Sequence, residues 1–253
     1  MHHLSCLDLD PGRNDAGGRG KRSPVPARGI WYGLGFLLFS LPLLAWGHGV
    51  AEGDASFIQN QTGFHFWAYF YLGAKHMVTG YDHLLFLAGV IFFLYRLRDV
   101  GIYVTLFAIG HSITLLAGVW FNIPANAYLI DAIIGFSVVY KAFENLGGFT
   151  RLGVSVDTRW AVWVFGLFHG FGLATKLQEL TLSPEGLLGN LVAFNVGVEA
   201  GQIAALVGIV TLMNLWRYGG RFEQQAAVAN TMLMAAGFVL IGHQSTGYFV
   251  GAA

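Results

Sequence analysis

The chain has 253 residues, of which 55% are hydrophobic and 11% charged, with 14 basic and 14 acidic side chains. Soluble domains carry about 25% charged residues, so this composition excludes a water-soluble enzyme and a disordered chain, and the zero net charge excludes a nucleic-acid binder. Cys6 stands alone, which excludes a disulfide framework and any cysteine-ligated metal or redox centre in the body of the chain.

In chain order, residues 1–29 come first. They hold Arg13, Arg19, Lys21, Arg22 and Arg28 among many Gly and Pro residues and are expected to be a disordered basic leader. Residues 30–47 follow, with the uncharged run Ile30–Ala45 and small residues at Ala45 and Gly47. Basic segment, short apolar run and small-x-small site together read as a signal peptide cleaved after Gly47; the alternative is an uncleaved anchor helix. Cleavage makes His48 the first residue and places the amino end outside the cytoplasm. Residues 48–63 are then an extracytoplasmic segment, and 64–250 a transmembrane helical domain.

The fold class is all-α, a polytopic bundle. A bilayer-crossing helix needs about 20 mostly apolar residues, and such stretches lie near 81–97, 101–121, 126–146, 158–178, 187–216 and 223–247. With the amino end outside, the inner loops carry Arg96, Arg98, Lys141, Arg151, Arg159, Arg217 and Arg221, while the outer side keeps Lys75 and Lys176. That asymmetry satisfies the positive-inside rule. The aromatic-rich stretch 64–79 would invert it by crossing on its own, so it is expected to lie along the outer face or to re-enter.

Ionisable groups in hydrocarbon cost about 2.5–3.5 kcal/mol each on insertion scales. This chain nevertheless places Asp82, His83, His111, Asp131, His169, Asn195, Glu199, Gln202 and His243 within or at the ends of apolar stretches. His76-Met-Val-Thr-Gly-Tyr-Asp82-His83 offers nitrogen and oxygen donors suited to nickel, cobalt, zinc or copper(II). One continuous helix puts His76 and His83 on one face; a break at Gly80 folds one towards the other. The structural alternative is an Asp82 helix cap with interfacial histidines.

Gly166 and Gly170 around His169 allow another helix to approach closely and put His169 at a helix contact. Asn195, Glu199 and Gln202 follow helical spacing and form a polar stripe, with Glu199 the costliest residue of the set; its structural alternative is a hydrogen bond joining two helices. His111 and His243 are weaker signals, each more often a satisfied core histidine. Asp131 is placed to orient His111 or His169, as carboxylates behind a ligand do. Lys141 and Glu144 read as a pair at the cytoplasmic end. The chain lacks the Gly-x-x-x-x-Gly-Lys-Ser/Thr and His-Glu-x-x-His patterns, which excludes a P-loop pump and a zinc protease of that type, and lacks the Gly-x-Ser-x-Gly elbow, which weakens a serine hydrolase of that type.

Through His76-x5-Asp82-His83 with the following Leu-Leu-Phe, His111-Ser112, Phe168-His169-Gly170 and Asn195 to Gln202, the chain resembles the HupE/UreJ family of bacterial membrane proteins. These elements run in order through most of residues 64–250. The resemblance implies a multi-pass secondary permease of the bacterial inner membrane for nickel or cobalt, with His76, Asp82, His83, His169 and Glu199 handling the metal; the cleaved signal, the six spans and the charge bias above put both mature termini outside the cytoplasm. The metal is then substrate, and no organic cofactor is expected. The implied partners are the lipid bilayer and metalloenzyme maturation proteins; a homo-oligomer is compatible with the sequence. Supporting roles fall to His111, Asp131, Asn195, Gln202 and His243. Two other readings stay open: an intramembrane metal-dependent hydrolase using His76, His83 and His169 with Asp82, and a membrane assembly subunit that holds metal for another protein.

Overall fold

The computed structural model describes residues 62–179 and 184–251; the leader and signal-peptide expectations lie outside them. Eight helices occur among the described residues: α1 (Phe66–Thr79), α2 (Tyr81–Ile91), α3 (Leu97–Trp120), α4 (Ala127–Asn145), α5 (Gly148–Arg151), α6 (Thr158–Gln178), α7 (Leu187–Tyr218) and α8 (Phe222–Gly251). No strand occurs among those residues. The side chain of Asn126 accepts a bond from the Leu129 amide to cap α4, and that of Asp157 accepts from the Arg159 amide to cap α6. Both satisfy amides that a helix start leaves without partners.

Three helices, α3, α7 and α8, are long and apolar enough to cross a membrane. α4 and α6 have 19 and 21 residues but carry Asp131, Lys141 and Glu144, and Arg159, His169 and Lys176, respectively. Length and apolarity therefore single out three candidate crossings among the described residues and do not by themselves establish the six expected. Large apolar side chains point outward along the helices, among them Ile109, Ile113, Val196, Ile203 and Leu215.

Three close helix pairs build the bundle, each joining a helix that ends by residue 145 to one that starts at residue 158 or later. Glycine makes the contact in all three. A Cβ on Gly73 would lie 2.0 Å from the Phe194 carbonyl oxygen, and one on Gly197 2.0 Å from that of Phe70, so α1 and α7 touch backbone to backbone. A Cβ on Gly170 would lie 2.0 Å from the His111 carbonyl oxygen, and one on Gly166 2.5 Å from that of Phe107, which joins α3 to α6. Gly135 and Gly237 do the same for α4 and α8. Small residues of this kind let dispersion contacts form where lipid offers no hydrophobic drive.

The contact registers give the directions. Gly63 meets Gly186, Phe70 meets Gly197 and Ala74 meets Gly201, so α1 and α7 are parallel. Phe107 meets Gly166 and Gly118 meets Ala174, so α3 and α6 are parallel too. Tyr128 meets Gly247 and Gly135 meets Leu240, so α4 and α8 are antiparallel. Gly186 sits at φ 75°, a left-handed conformation open to glycine, where a Cβ would also strike the Gly63 carbonyl.

One expectation is corrected here. The 64–79 stretch does not lie across the end of the bundle but stands along α7. Past Gly80 the chain continues in the same sense. Leu87 and Ile91 pack with Leu206 and Ile209, and Phe92 packs with Met213. At the far end Arg217 Nη2 donates to the carbonyls of Ile91 (3.1 Å) and Phe92 (2.7 Å). α1 and α2 are thus the two halves of one interrupted helix running the length of α7. The charge bias argued against a separate crossing and the aromatic content suited an interface; the glycine stripe of α7, which fits the α1 backbone, places the segment along that helix instead.

Two apolar clusters divide the interior. Met77, Leu115, Leu173 and Phe194 belong to one, and Phe86, Phe107, Val138 and Phe165 to the other. Between them, at mid-length of α3 and α6, lies a polar layer.

Candidate metal site

The layer begins at the helix break. Gly80 has φ −73° and ψ 100°, extended rather than helical, and its amide still donates to the His76 carbonyl at 2.9 Å. The interruption is one residue long. A Cβ at Gly80 would stand 2.9 Å from His83 Nδ1, 3.0 Å from the His76 carbonyl oxygen and 3.2 Å from Asp82 Oδ1. Glycine is needed here because His76, Asp82 and His83 fold around it. Of the two arrangements the spacing allowed, the chain takes the broken one. Asp82 falls in the first turn of α2, where the helix dipole favours a carboxylate.

His83 Nδ1 lies 3.1 Å from Asp82 Oδ1, both groups buried. An ionised carboxylate only accepts, so Nδ1 donates and Nε2 keeps the lone pair. His169 Nδ1 lies 2.7 Å from the Phe165 carbonyl oxygen. A carbonyl also only accepts, so His169 has the same tautomer. Two imidazoles are thereby fixed with Nε2 as the ligating nitrogen, the arrangement that a carboxylate or carbonyl behind a ligand produces.

Their rings meet at 5.0 Å between centroids. His76 reaches His83 at 5.2 Å, and His111 reaches it at 5.9 Å. His111 is 1% exposed, and neither of its ring nitrogens has a hydrogen-bond partner; His83 Nε2 has none either. A buried polar atom left in that state costs about 1–3 kcal/mol. Phe86 and Phe107 pack against His169 at 5.3 and 5.0 Å and wall the imidazoles on the side of the second apolar cluster. The four rings stand edge to face or tilted. Among the described residues, no three His, Cys, Asp or Glu donors converge as a ready metal site. Holding one ion requires imidazole rotation.

A small cleft lies beside this layer, on the side where α4 starts and α6 finishes. His76, Asp82, His83 and His169 line it, with Asp131 and Lys176. The expected pairing of Asp131 with His111 or His169 is not made; instead Lys176 Nζ donates to its Oδ2 at 2.8 Å. The side chain of Lys176 is long enough to reach back from the last turn of α6, which sequence spacing did not show.

The polar stripe of α7 is divided. Asn195 Nδ2 donates to Ser112 Oγ at 2.8 Å, and Gln202 Nε2 donates to the Val104 carbonyl at 3.4 Å. Both tie α7 to α3. Glu199 between them is exposed, on the outward stripe with Val192, Val196 and Ile203, and the structure does not bring it to the imidazoles. Gly197 and Gly201 take the α1-facing side of the helix, which turns Glu199 away from it. His243 is likewise exposed on α8, beside the buried Gln244. The structure therefore gathers His76, Asp82, His83 and His169, promotes His111 into their company and leaves Glu199 and His243 outside. His111 had a signal in the sequence: Gly110 and Gly166 face each other across α3 and α6, so residues beside them meet. Lys141 and Glu144 pair at 2.7 Å at the opposite end, as expected, and Thr158 donates to the same carboxylate.

A family model described as HupE / UreJ protein matches residues 52–252. No curated protein and no solved structure gave a significant match to the chain.

Proposed function

The chain belongs to the HupE/UreJ family, and on that membership and the imidazole layer we propose that it is a secondary membrane permease for a divalent transition-metal ion, nickel first, with cobalt, copper or zinc as the alternatives. The observation that carries this reading is the pair His83 and His169. Each is held through Nδ1 so that Nε2 is the ligating nitrogen, and His111, bare at both nitrogens, stands beside them. Imidazole with carboxylate suits these ions better than calcium or magnesium. A helix broken at mid-depth, with donors at the break, is how several transporter folds place an ion site.

The reading includes a topology of six crossings: the α1–α2 pair, α3, α4, α6, α7 and α8. The alternating directions support it. So does the placing of Arg96, Arg98, Arg217 and Arg221 at one end of the bundle, the cytoplasmic side under the positive-inside rule. The protein then sits in the inner membrane with both mature termini extracytoplasmic, and the cleft lies on the outer side. The ion loses water to Asp82 and the imidazoles one exchange at a time. Sites that bind through few donors at once release the ion again, as conduction requires. An intramembrane hydrolase needs three fixed donors on one zinc with an open position; metal retained tightly through chelator washing would favour it, and weak, reversible binding favours the permease.

Nickel-63 uptake into proteoliposomes tests this, comparing the unsubstituted chain with His83→Ala and His111→Ala. Saturable uptake that either substitution abolishes is the expected result. Equal uptake in all three ends the reading.

A further inference from the structure

An ion pair belonging to the protein itself lines the cleft that the imidazoles share. Asp131 is 4% exposed in its side chain and Lys176 15%. The lysine ammonium engages only one carboxylate oxygen, Oδ2, while the buried Oδ1 has no hydrogen-bond partner. The backbone of α6 leaves room for that oxygen at Gly172, where a Cβ would lie 3.2 Å from Oδ1 and 2.8 Å from the Ile134 side chain. Asp131 and Lys176 line the same cleft as His76, Asp82, His83 and His169.

Resting on the permease reading, we propose that Asp131 is the outermost ligand for the arriving dication, and that Lys176 is a tethered cation occupying its place until the ion displaces it. A lysine ammonium is a compact charge on a flexible four-carbon stem with the polar head able to reach water, so it can leave Asp131 towards the end of α6 without backbone movement. The exchange keeps a cation beside Asp131 at every stage, which avoids an uncompensated buried carboxylate. It also holds monovalent cations out, because a single charge gains nothing over the lysine already present. The pair thus acts as a charge filter ahead of the imidazoles.

A purely structural role is the competing account: Lys176 lies in the last turn of α6, where a cation favours the helix dipole. Nickel dependence of nickel-63 uptake in proteoliposomes separates the two, with protein per vesicle measured for each variant. The proposal predicts that Lys176→Met lowers the half-saturating nickel concentration by about tenfold. Lys176→Arg leaves it close to the unsubstituted value, and Asp131→Asn raises it. A Lys176→Met protein with unchanged half-saturation, whatever its maximal rate, overturns the filter and leaves the permease intact. Absence of saturable uptake in the unsubstituted protein overturns both.

Discussion

The rings of His83 and His169 meet at 5.0 Å and 67°, joining the inner half of the broken helix to the middle of α6. Neither residue could be there without glycine elsewhere. Gly80 lets the chain break so that His83 turns inward, and Gly166 and Gly170 let α6 press against α3 so that His169 faces the interior. The chemistry of the layer is supplied by imidazoles and its geometry by the absence of side chains nearby.

This makes Gly80 a sensitive position. Gly80→Ala is expected to keep the fold, since the φ of −73° suits any residue, but to displace His83 and the His76 carbonyl. Half-saturation for nickel-63 uptake is expected to rise several-fold while the melting temperature in detergent changes little. A large loss of thermal stability with unchanged nickel dependence would contradict the role given to the break.

Helix pairing gives a second expectation. Gly170→Ala puts a methyl group 2.0 Å from the His111 carbonyl oxygen, and overpacking of this kind costs about 1–3 kcal/mol or more. Gly208→Ala, with nothing within 4 Å, is the matched control. Thermal unfolding of the two purified variants in detergent should show a clear loss for the first and none for the second.

Arg217 holds the far end of α2. Arg217→Ala removes both donors to the Ile91 and Phe92 carbonyls and also its stacking on Tyr95 at 4.3 Å. The expected loss is about 1–3 kcal/mol of stability. Hydrogen exchange should locate it in residues 88–95, with the imidazole layer unaffected.

Glu199 separates sequence spacing from structure most sharply. Because it lies on the outward stripe, Glu199→Gln is expected to leave nickel half-saturation unchanged within about twofold, a difference below ~0.5 kcal/mol. A tenfold change would return this carboxylate to the ion's path.

Much of this was readable beforehand. The helices at 158–178 and 187–218 follow the apolar runs almost to the residue, because uncharged stretches between charged or glycine-bearing turns leave little freedom. His76, Asp82, His83 and His169 could be singled out because ionisable groups are costly in apolar segments. What could not be read was rotation about each helix axis. Asn195, Glu199 and Gln202 share a stripe at helical spacing, yet only the first and last face α3. Which side of that stripe is covered depends on how closely Gly197 and Gly201 admit α1, a tertiary fact. The partner of Asp131 was hidden for the same reason: Lys176 is distant in sequence, and its reach depends on the antiparallel register of α4 and α6.

The most direct test is nickel K-edge X-ray absorption on the purified, nickel-loaded protein. The account predicts a first shell containing imidazole nitrogen, with the imidazole contribution reduced in both His83→Ala and His111→Ala. A shell of oxygen donors alone, identical in the unsubstituted protein and the two variants, would contradict it.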